Sequence, residues 1–235
     1  PAIGRNGLIY FGSEEKVYAI TAREGLKKWE FKPSGEISQS PAIGKEGIVY
    51  IGSDDGIVYA LDGEKGSTLW EFKTHSKVSS SPVVGQDGTV FIGARNKKFY
   101  ALDWKTGKQK WVFEVENGSS SGAFIDGSPI GAAIAQDGII YITVKNQDAL
   151  YALDAKNGEQ KWKVSFEGDH ARTSPVIAPN GVIYFGSRRG IHAVAGSAPL
   201  ARGLWPQRGL NPQNTFCLLK KSDKPVKSQA GGIPA

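Results

Sequence analysis

Apolar and polar residues alternate over short stretches along most of the chain, and turn residues separate these stretches. In Leu69–Lys73 the alternation places Trp70 and Phe72 on one face, which predicts a strand with one buried side. The run Ile48–Ile51 is β-branched and aromatic throughout, as expected of a buried strand. The segment around these runs contains four strand-like stretches, at Ser40–Ile43, Gly47–Gly52, Gly56–Asp62 and Thr68–Lys73. The pattern therefore predicts an all-β protein built of short antiparallel strands.

One block of sequence recurs along the chain, mostly at a period of about 41 residues. Its marker alanines are Ala19, Ala60, Ala101, Ala152 and Ala193. Around the first four alanines the pattern is Ala-x-(Asp/Thr)-x3-Gly-x3-Trp, and the fifth copy is degenerate. The glycines are Gly25, Gly66, Gly107 and Gly158, and the tryptophans are Trp29, Trp70, Trp111 and Trp162. Because four antiparallel strands at a period of roughly 40 residues form one β-propeller blade, the repeat predicts a propeller.

We expect a single propeller domain over residues 1–219, made of five four-stranded antiparallel blades. The blades are expected at about 1–40, 41–81, 82–131, 132–174 and 175–219. Residues 220–235 mix Lys, Ser, Pro, Gly and Gln, which is typical of a flexible C-terminal tail.

Composition excludes several classes of protein. The 30 glycines among 235 residues show no three-residue period and accompany 40% apolar residues, which excludes a collagen-like or disordered chain. No apolar run approaches the roughly 18 residues needed to cross a bilayer, so no transmembrane segment is expected. The net charge of +6 is concentrated partly in the tail rather than in one basic stripe, which argues against nucleic-acid binding. The single cysteine, Cys217, excludes an internal disulfide framework.

The Ala-x-Asp-x3-Gly-x3-Trp spacing resembles the tryptophan-docking repeat of the pyrroloquinoline-quinone (PQQ)-like β-propeller superfamily, over about residues 1–205. That superfamily includes quinoprotein alcohol dehydrogenases and outer-membrane assembly lipoproteins of the BamB type. The resemblance implies that the four tryptophans pack between neighbouring blades, with the turn glycine of the same repeat close beneath each indole, as Gly66 beneath Trp70. It also implies an extracytoplasmic location, periplasmic or secreted.

The chemistry of the resembled enzymes is not repeated in this chain. Those enzymes use an adjacent-cysteine disulfide and a calcium site of carboxylates and an amide, whereas this chain has one cysteine. Its recurring carboxylates, Asp62, Asp103 and Asp154, follow the third strand of each repeat, where a turn-capping role is expected. We therefore favour a non-catalytic ligand- or protein-binding scaffold with no cofactor and no metal. The alternatives are a fragment of a PQQ-dependent oxidoreductase, with PQQ and calcium, and a BamB-like outer-membrane assembly factor.

Departures from the repeat indicate where a partner would bind, because function usually lies in loops on a rigid scaffold. A ten-residue excess falls in 116–131, between the third and fourth blades, and contains Phe124 and Asp126. Such loops, which join an outer strand to the next inner strand, gather on one face of a propeller. We predict a ligand, protein or peptide site on that face, formed by Glu36, Gln39, His75, Lys77, Phe124, Asp126, His170 and Arg172. Its basic members favour an acidic ligand or peptide, and the alternative is a tolerated surface insertion.

Trp104 is a second departure from the repeat. It lies in a turn where the other copies have Ala22, Gly63, Ala155 or Gly196. An exposed tryptophan often marks a contact surface. The alternative is that its ring lies flat on its own blade.

Overall fold

The computed structural model describes residues 1–13, 15–116, 129–145, 149–166 and 169–201. Five antiparallel sheets follow one another along the chain, each with its strands in sequence order. We call these sheets blades 1 to 5. The fifth sheet has three described strands, and the other four have four strands each. The expectation of an all-β propeller with five blades is therefore confirmed.

The strands of each blade are joined by short turns. Blade 1 consists of β1 (Ala2–Ile3), β2 (Leu8–Ser13), β3 (Lys16–Thr21) and β4 (Lys27–Phe31). Blade 2 consists of β5 (Ala42–Ile43), β6 (Val49–Gly52), β7 (Ile57–Leu61) and β8 (Thr68–Lys73), with a 3-10 turn at Lys45–Gly47. Blade 3 consists of β9 (Val83–Val84), β10 (Val90–Gly93), β11 (Lys98–Leu102) and β12 (Gln109–Glu114). Blade 4 consists of β13 (Pro129–Ile134), β14 (Ile139–Val144), β15 (Ala149–Asp154) and β16 (Gln160–Ser165), and blade 5 of β17 (Val176–Ile177), β18 (Val182–Gly186) and β19 (Ile191–Ala195).

In the first four repeats, the marker alanine on the third strand lies opposite the tryptophan on the fourth strand. Ala60 pairs with Trp70, and the register shifts immediately after Ala60 in a bulge. The same pairing and the same shift occur at Ala19, Ala101 and Ala152. Directly opposed residues share one face of a sheet, so a small residue at this position leaves room for the indole.

The indoles pack across the boundaries between blades. A Cβ atom added to Gly66 would lie 2.6 Å from the ring of Trp29, and the Trp29 indole N–H donates to the carbonyl oxygen of Gly63 at 2.8 Å. The equivalent ring and glycine pairs are Trp70 with Gly107 and Trp111 with Gly158. Each of these three indoles therefore covers a glycine of the following repeat, whereas the resemblance implied the glycine of its own repeat. The reason is that the outer strand presents its ring to the next blade.

The recurring aspartates cap the turns that follow the third strands. Asp62 accepts the backbone N–H groups of Glu64 and Lys65, each at 2.9 Å. A hydrogen bond from the Thr106 hydroxyl lowers the pKa of Asp103. These carboxylates stabilise local turns and do not converge on a common ligand.

Several sequence-based expectations fall on residues outside the described ranges. These are Phe124, Asp126, Cys217 and the predicted tail at 220–235. The blade boundaries and the single-domain assignment stay predictions.

Candidate functional site

Two sets of loops meet at one end of the strands, and we call this end the mouth face. One set joins the outer strand of a blade to the inner strand of the next, and the other set is the hairpins between the second and third strands of each blade. In three places the first hairpin residue donates its backbone N–H to a carbonyl oxygen of the neighbouring loop. The pairs are Asp54 to Glu36 at 2.9 Å, Arg95 to Lys77 at 2.8 Å and Arg188 to His170 at 3.1 Å. Three of the predicted site residues thus hold one equivalent structural position.

A cavity of about 160 Å³ opens on the mouth face. Its lining comes from blades 2, 3 and 4 and from the loops that precede blades 2 and 3, namely Ser38, Gln39, Asp54, Val78, Ser79, Arg95, Ile130 and Lys145. Because one small cavity touches three consecutive blades, it lies on the inner side of the propeller, where blades converge.

The charges around this cavity differ from one blade to the next. Lys77 forms an ion pair with Asp54 at 2.8 Å, which neutralises the carboxylate at the rim. Arg95 is exposed, and its side chain has no partner among the described residues. The exposed Lys145 adds a second positive charge to the lining. The cavity can therefore receive an anionic group, with the guanidinium of Arg95 as its principal donor.

Sequence reasoning found part of this lining and missed the hairpins. Gln39 lines the cavity. Glu36 and Lys77 do not line it, but both bind Asp54, which does. Asp54, Arg95 and Lys145 were missed, although the sequence carries a signal for them. The equivalent hairpin position is acidic in the first two repeats and basic in the last three, at Glu14, Asp54, Arg95, Lys145 and Arg188.

The remaining predicted residues do not line the cavity. His75 is exposed in a left-handed backbone conformation with φ of 60°. His170 is half-buried, and the exposed Arg172 donates its backbone N–H to Gly186 at 2.9 Å. Phe124 and Asp126 lie outside the described residues.

The donor set required by calcium and PQQ is not found in the described part of the chain. No group of three or more His, Cys, Asp or Glu residues converges there in a way that could hold a metal ion. Calcium takes six to eight oxygen ligands, and the repeated carboxylates, such as Asp62, are committed to turns. The described residues therefore do not fit the calcium–quinone site of the alternative function, and we derive no chemistry through it.

A serine, a histidine and an aspartate meet in blade 5. Nε2 of His192 lies 2.7 Å from Oδ2 of Asp169 and 3.1 Å from Oγ of Ser187. The Ser187 hydroxyl donates a hydrogen bond to the same carboxylate oxygen at 2.6 Å. A catalytic triad requires the imidazole between the serine and the acid, with each on a different ring nitrogen. This trio therefore has the wrong geometry for an activated nucleophile, and it anchors the β18–β19 hairpin instead.

The ring of His192 takes the place that tyrosine holds in the other repeats. It stacks on Phe185 at a centroid distance of 5.1 Å. Burial opposes the ionised form of Asp169, but hydrogen bonds from Ser187, His192 and the backbone N–H of Arg189 outweigh it and lower the pKa of Asp169 to about 2. The carboxylate is therefore ionised at all ordinary pH values.

Trp104 lies in the cleft between blades 2 and 3 rather than on the outer rim. Its ring is half-buried, and a Cβ atom added to Gly88 would lie 2.7 Å from it. The Nζ atom of Lys45, from blade 2, lies 5.5 Å from the ring centroid. The ring therefore rests on Gly88 of its own blade and faces Lys45 of blade 2, which fits the alternative interpretation rather than that of an exposed contact residue.

Comparison with known proteins identifies relatives of this arrangement. A profile of the family described as "Outer membrane protein assembly factor BamB" matches residues 13–208. Among solved structures, the chain is similar to BamB from Moraxella catarrhalis, with 20% identity and a TM-score of 0.56 over 86% of this chain and 74% of that one. Among curated protein sequences, none matches significantly.

Two further structures share the fold. Quinohemoprotein alcohol dehydrogenase from Comamonas testosteroni matches with 19% identity and a TM-score of 0.68, over 82% of this chain and 40% of that one. The computationally designed Ika8 protein matches with 16% identity and a TM-score of 0.65, over 81% of this chain and 57% of that one. The chain thus spans less than two thirds of the length of these two proteins, and at such identities the likeness shows the fold.

Proposed function

Since this chain belongs to the PQQ-like β-propeller family described as outer membrane protein assembly factor BamB, we propose that it is a non-catalytic scaffold that binds an acidic protein segment at its mouth face. The family description supports a protein partner rather than a substrate. The fold supports a scaffolding role, because the blade bodies are used for packing and the loops remain for recognition.

The observation that carries the proposal is the guanidinium of Arg95 at the cavity, which has no partner among the described residues. A guanidinium binds a carboxylate through two parallel hydrogen bonds, which gives both affinity and orientation. The cavity of about 160 Å³ admits one side-chain carboxylate rather than a large cofactor. Gln39 and Ser38 supply polar groups beside it. The mouth face thus suits a peptide that inserts a Glu or Asp side chain.

We place the protein outside the cytoplasm, as the family description suggests for an assembly factor of the outer membrane. Within the described ranges, the helical segment Lys45–Gly47 is a single short turn, and no helix there has the length and apolarity to cross a bilayer.

The proposal is tested with a fluorescent decapeptide of alternating Glu and Gly, and its Gln counterpart as the neutral control. Fluorescence anisotropy gives the dissociation constants for the wild type, Arg95→Glu and Arg23→Glu. Arg23 lies exposed in the turn after β3, at the opposite strand ends, so its reversal changes the net charge equally. Loss of a charged hydrogen bond predicts roughly tenfold or greater weakening for Arg95→Glu, and no change for Arg23→Glu. Equal weakening in both variants, or equal binding of the Gln peptide, would contradict a site at Arg95.

The similarity in fold to a quinohemoprotein alcohol dehydrogenase keeps the PQQ-dependent oxidoreductase as a second candidate function. The described residues give it no donor set, so it ranks below the binding scaffold.

A further inference from the structure

The cleft that Trp104 fills between blades 2 and 3 has a defined construction. One side of the ring rests against Gly88, and the ammonium group of Lys45 lies above the ring at 5.5 Å from its centroid. Lys45 is held there by donating to the carbonyl oxygen of Asp87 at 2.7 Å. The contact is a cation–π interaction over a glycine floor. The cleft thus binds an indole that the chain itself supplies.

The cleft between blades 1 and 2 is the structural counterpart of this site. The carbonyl oxygen of Trp104 accepts hydrogen bonds from Trp70 at 2.9 Å and from Tyr50 at 3.2 Å. The carbonyl oxygen of Gly63 accepts the same two bonds, from Trp29 at 2.8 Å and from Tyr10 at 3.1 Å. Gly63 therefore occupies the position of Trp104, one junction earlier in the chain.

No side chain of the protein can fill this earlier cleft from position 63. A Cβ atom on Gly63 would collide with the backbone carbonyl oxygen of Gly47, so the backbone itself requires glycine there. The result is a cavity of about 530 Å³, within the usual range of 300–1,000 Å³ for small-molecule sites.

The contacts that hold the Trp104 ring have counterparts in this cavity. Gly47 corresponds to Gly88 and, with φ of 75°, leaves open space where a ring can rest. Arg5 corresponds to Lys45 in the repeat, lines the cavity and has no side-chain partner among the described residues. A guanidinium stacks on aromatic faces at least as well as an ammonium group does.

We propose that the cleft between blades 1 and 2 binds a planar aromatic ring of the indole class. The ring would lie against Gly47 with the Arg5 guanidinium over its face. The lining has equal numbers of basic and acidic side chains, which favours a neutral ring. They are Arg5, Lys45, Lys65, Glu46, Asp62 and Glu64. Carboxylate oxygens such as those of Glu64 can accept its N–H.

The cleft between blades 3 and 4 serves as an internal control. It has a volume of about 440 Å³ and a similar backbone, with Ala155 at the position of Trp104. Gln86 stands at the position of Arg5, so this cleft has no cation at that position. Lys110 also lines the cleft, but its ammonium group is bonded to Asp87 and Thr89. It should therefore bind the same ring more weakly.

This site is independent of the scaffold function proposed above. The first cleft is lined by the turns between the first and second strands and between the third and fourth strands, at the opposite strand ends from the mouth face. An aromatic ligand and an acidic peptide can therefore bind at the same time.

The test is a titration of the isotopically labelled protein with indole, followed by amide chemical shifts. In the wild type, indole should shift the Asn6 and Gly47 amides with saturation. Arg5→Ala should weaken this binding roughly two- to fivefold, whereas Gln86→Ala should not change it. Trp104→Ala should add a second set of shifts around Gly88, because it opens the homologous cleft.

Two results would overturn the proposal. One is a Trp104→Ala protein in which indole changes the amide chemical shift of Gly88 but not that of Gly47. The engineered cleft would then bind indole and the natural cleft would not. The other is an unchanged dissociation constant in Arg5→Ala. If Trp104→Ala fails to fold, the comparison of the wild type, Arg5→Ala and Gln86→Ala decides the question alone.

Discussion

Gly66→Ala should destabilise the protein more than Gly25→Ala, although the two glycines occupy the same turn of consecutive repeats. Both have a left-handed backbone, with φ of 72° at Gly66 and 70° at Gly25. An added Cβ atom on Gly66 would lie 2.6 Å from the ring of Trp29, whereas nothing lies within 4 Å of one on Gly25. The pair therefore separates the cost of backbone strain from the cost of the indole contact.

The magnitudes follow from these two contributions. A side chain in the left-handed region costs about 1–2 kcal/mol, which is the whole loss expected for Gly25→Ala. Overpacking against a fixed ring costs about 1–3 kcal/mol more, so Gly66→Ala should lose about 2–5 kcal/mol in total. Trp29 is 8% exposed, and its indole N–H is bonded to Gly63, so the ring has little freedom to move away.

Urea denaturation measures these losses of stability for Gly66→Ala and Gly25→Ala, each made both in the wild-type protein and in a protein that carries Trp29→Ala. In a protein that already carries Trp29→Ala, Gly66→Ala should cost no more than Gly25→Ala, because the ring is gone. Equal losses for the two glycines in the Trp29 protein would refute the reasoning. A Gly66→Ala penalty that persists without the indole would also refute it.

Two other predictions concern blade 5 and the cofactor. The folded-state pKa of Asp169, about 2, lies below its ordinary value, so its bonds to Ser187 and His192 add stability above about pH 4 that is lost as the pH falls towards 2. Denaturation at pH 5 and pH 2.5 should show a larger drop for the wild type than for Asp169→Asn, and equal drops would contradict this. Addition of PQQ and calcium should give no stoichiometric absorbance change and no dye reduction with alcohols, and calcium-dependent turnover would establish the oxidoreductase instead.

The number of blades and the positions of the strands could be predicted from the sequence, because each repeat contains all the signals that define its own strands and turns. Turn glycines, alternating apolar positions and the Ala–Trp pair all fall within one period of about 41 residues. The partner of each indole was not readable in the same way. Gly66 and Gly107 are identical in spacing pattern, and only the direction in which the outer strand faces decides that Trp70 packs on Gly107.

The candidate site was partly readable for a related reason. The loops between blades differ in length, and 116–131 is the longest, so the sequence pattern indicates these loops as the binding site. The hairpins have nearly constant length and give no such signal. Arg95 lies in such a hairpin, and its importance comes from a change of charge rather than a change of length. Its equivalent in the preceding repeat, Asp54, carries the opposite sign. The charges of equivalent hairpin residues in successive repeats therefore indicate both Asp54 and Arg95.

Both proposed sites lie at positions where successive repeats make the same backbone contact with different residues. On the mouth face, Glu36 and Lys77 accept the same backbone bond while carrying opposite charges. At the clefts, Gly63 and Trp104 accept the same pair of bonds, although one position leaves a cavity and the other fills it. The same backbone contact is therefore made by different residues in different repeats, although the local backbone at Gly63 requires glycine. Blades with one fold can in this way acquire separate binding chemistries without loss of the propeller.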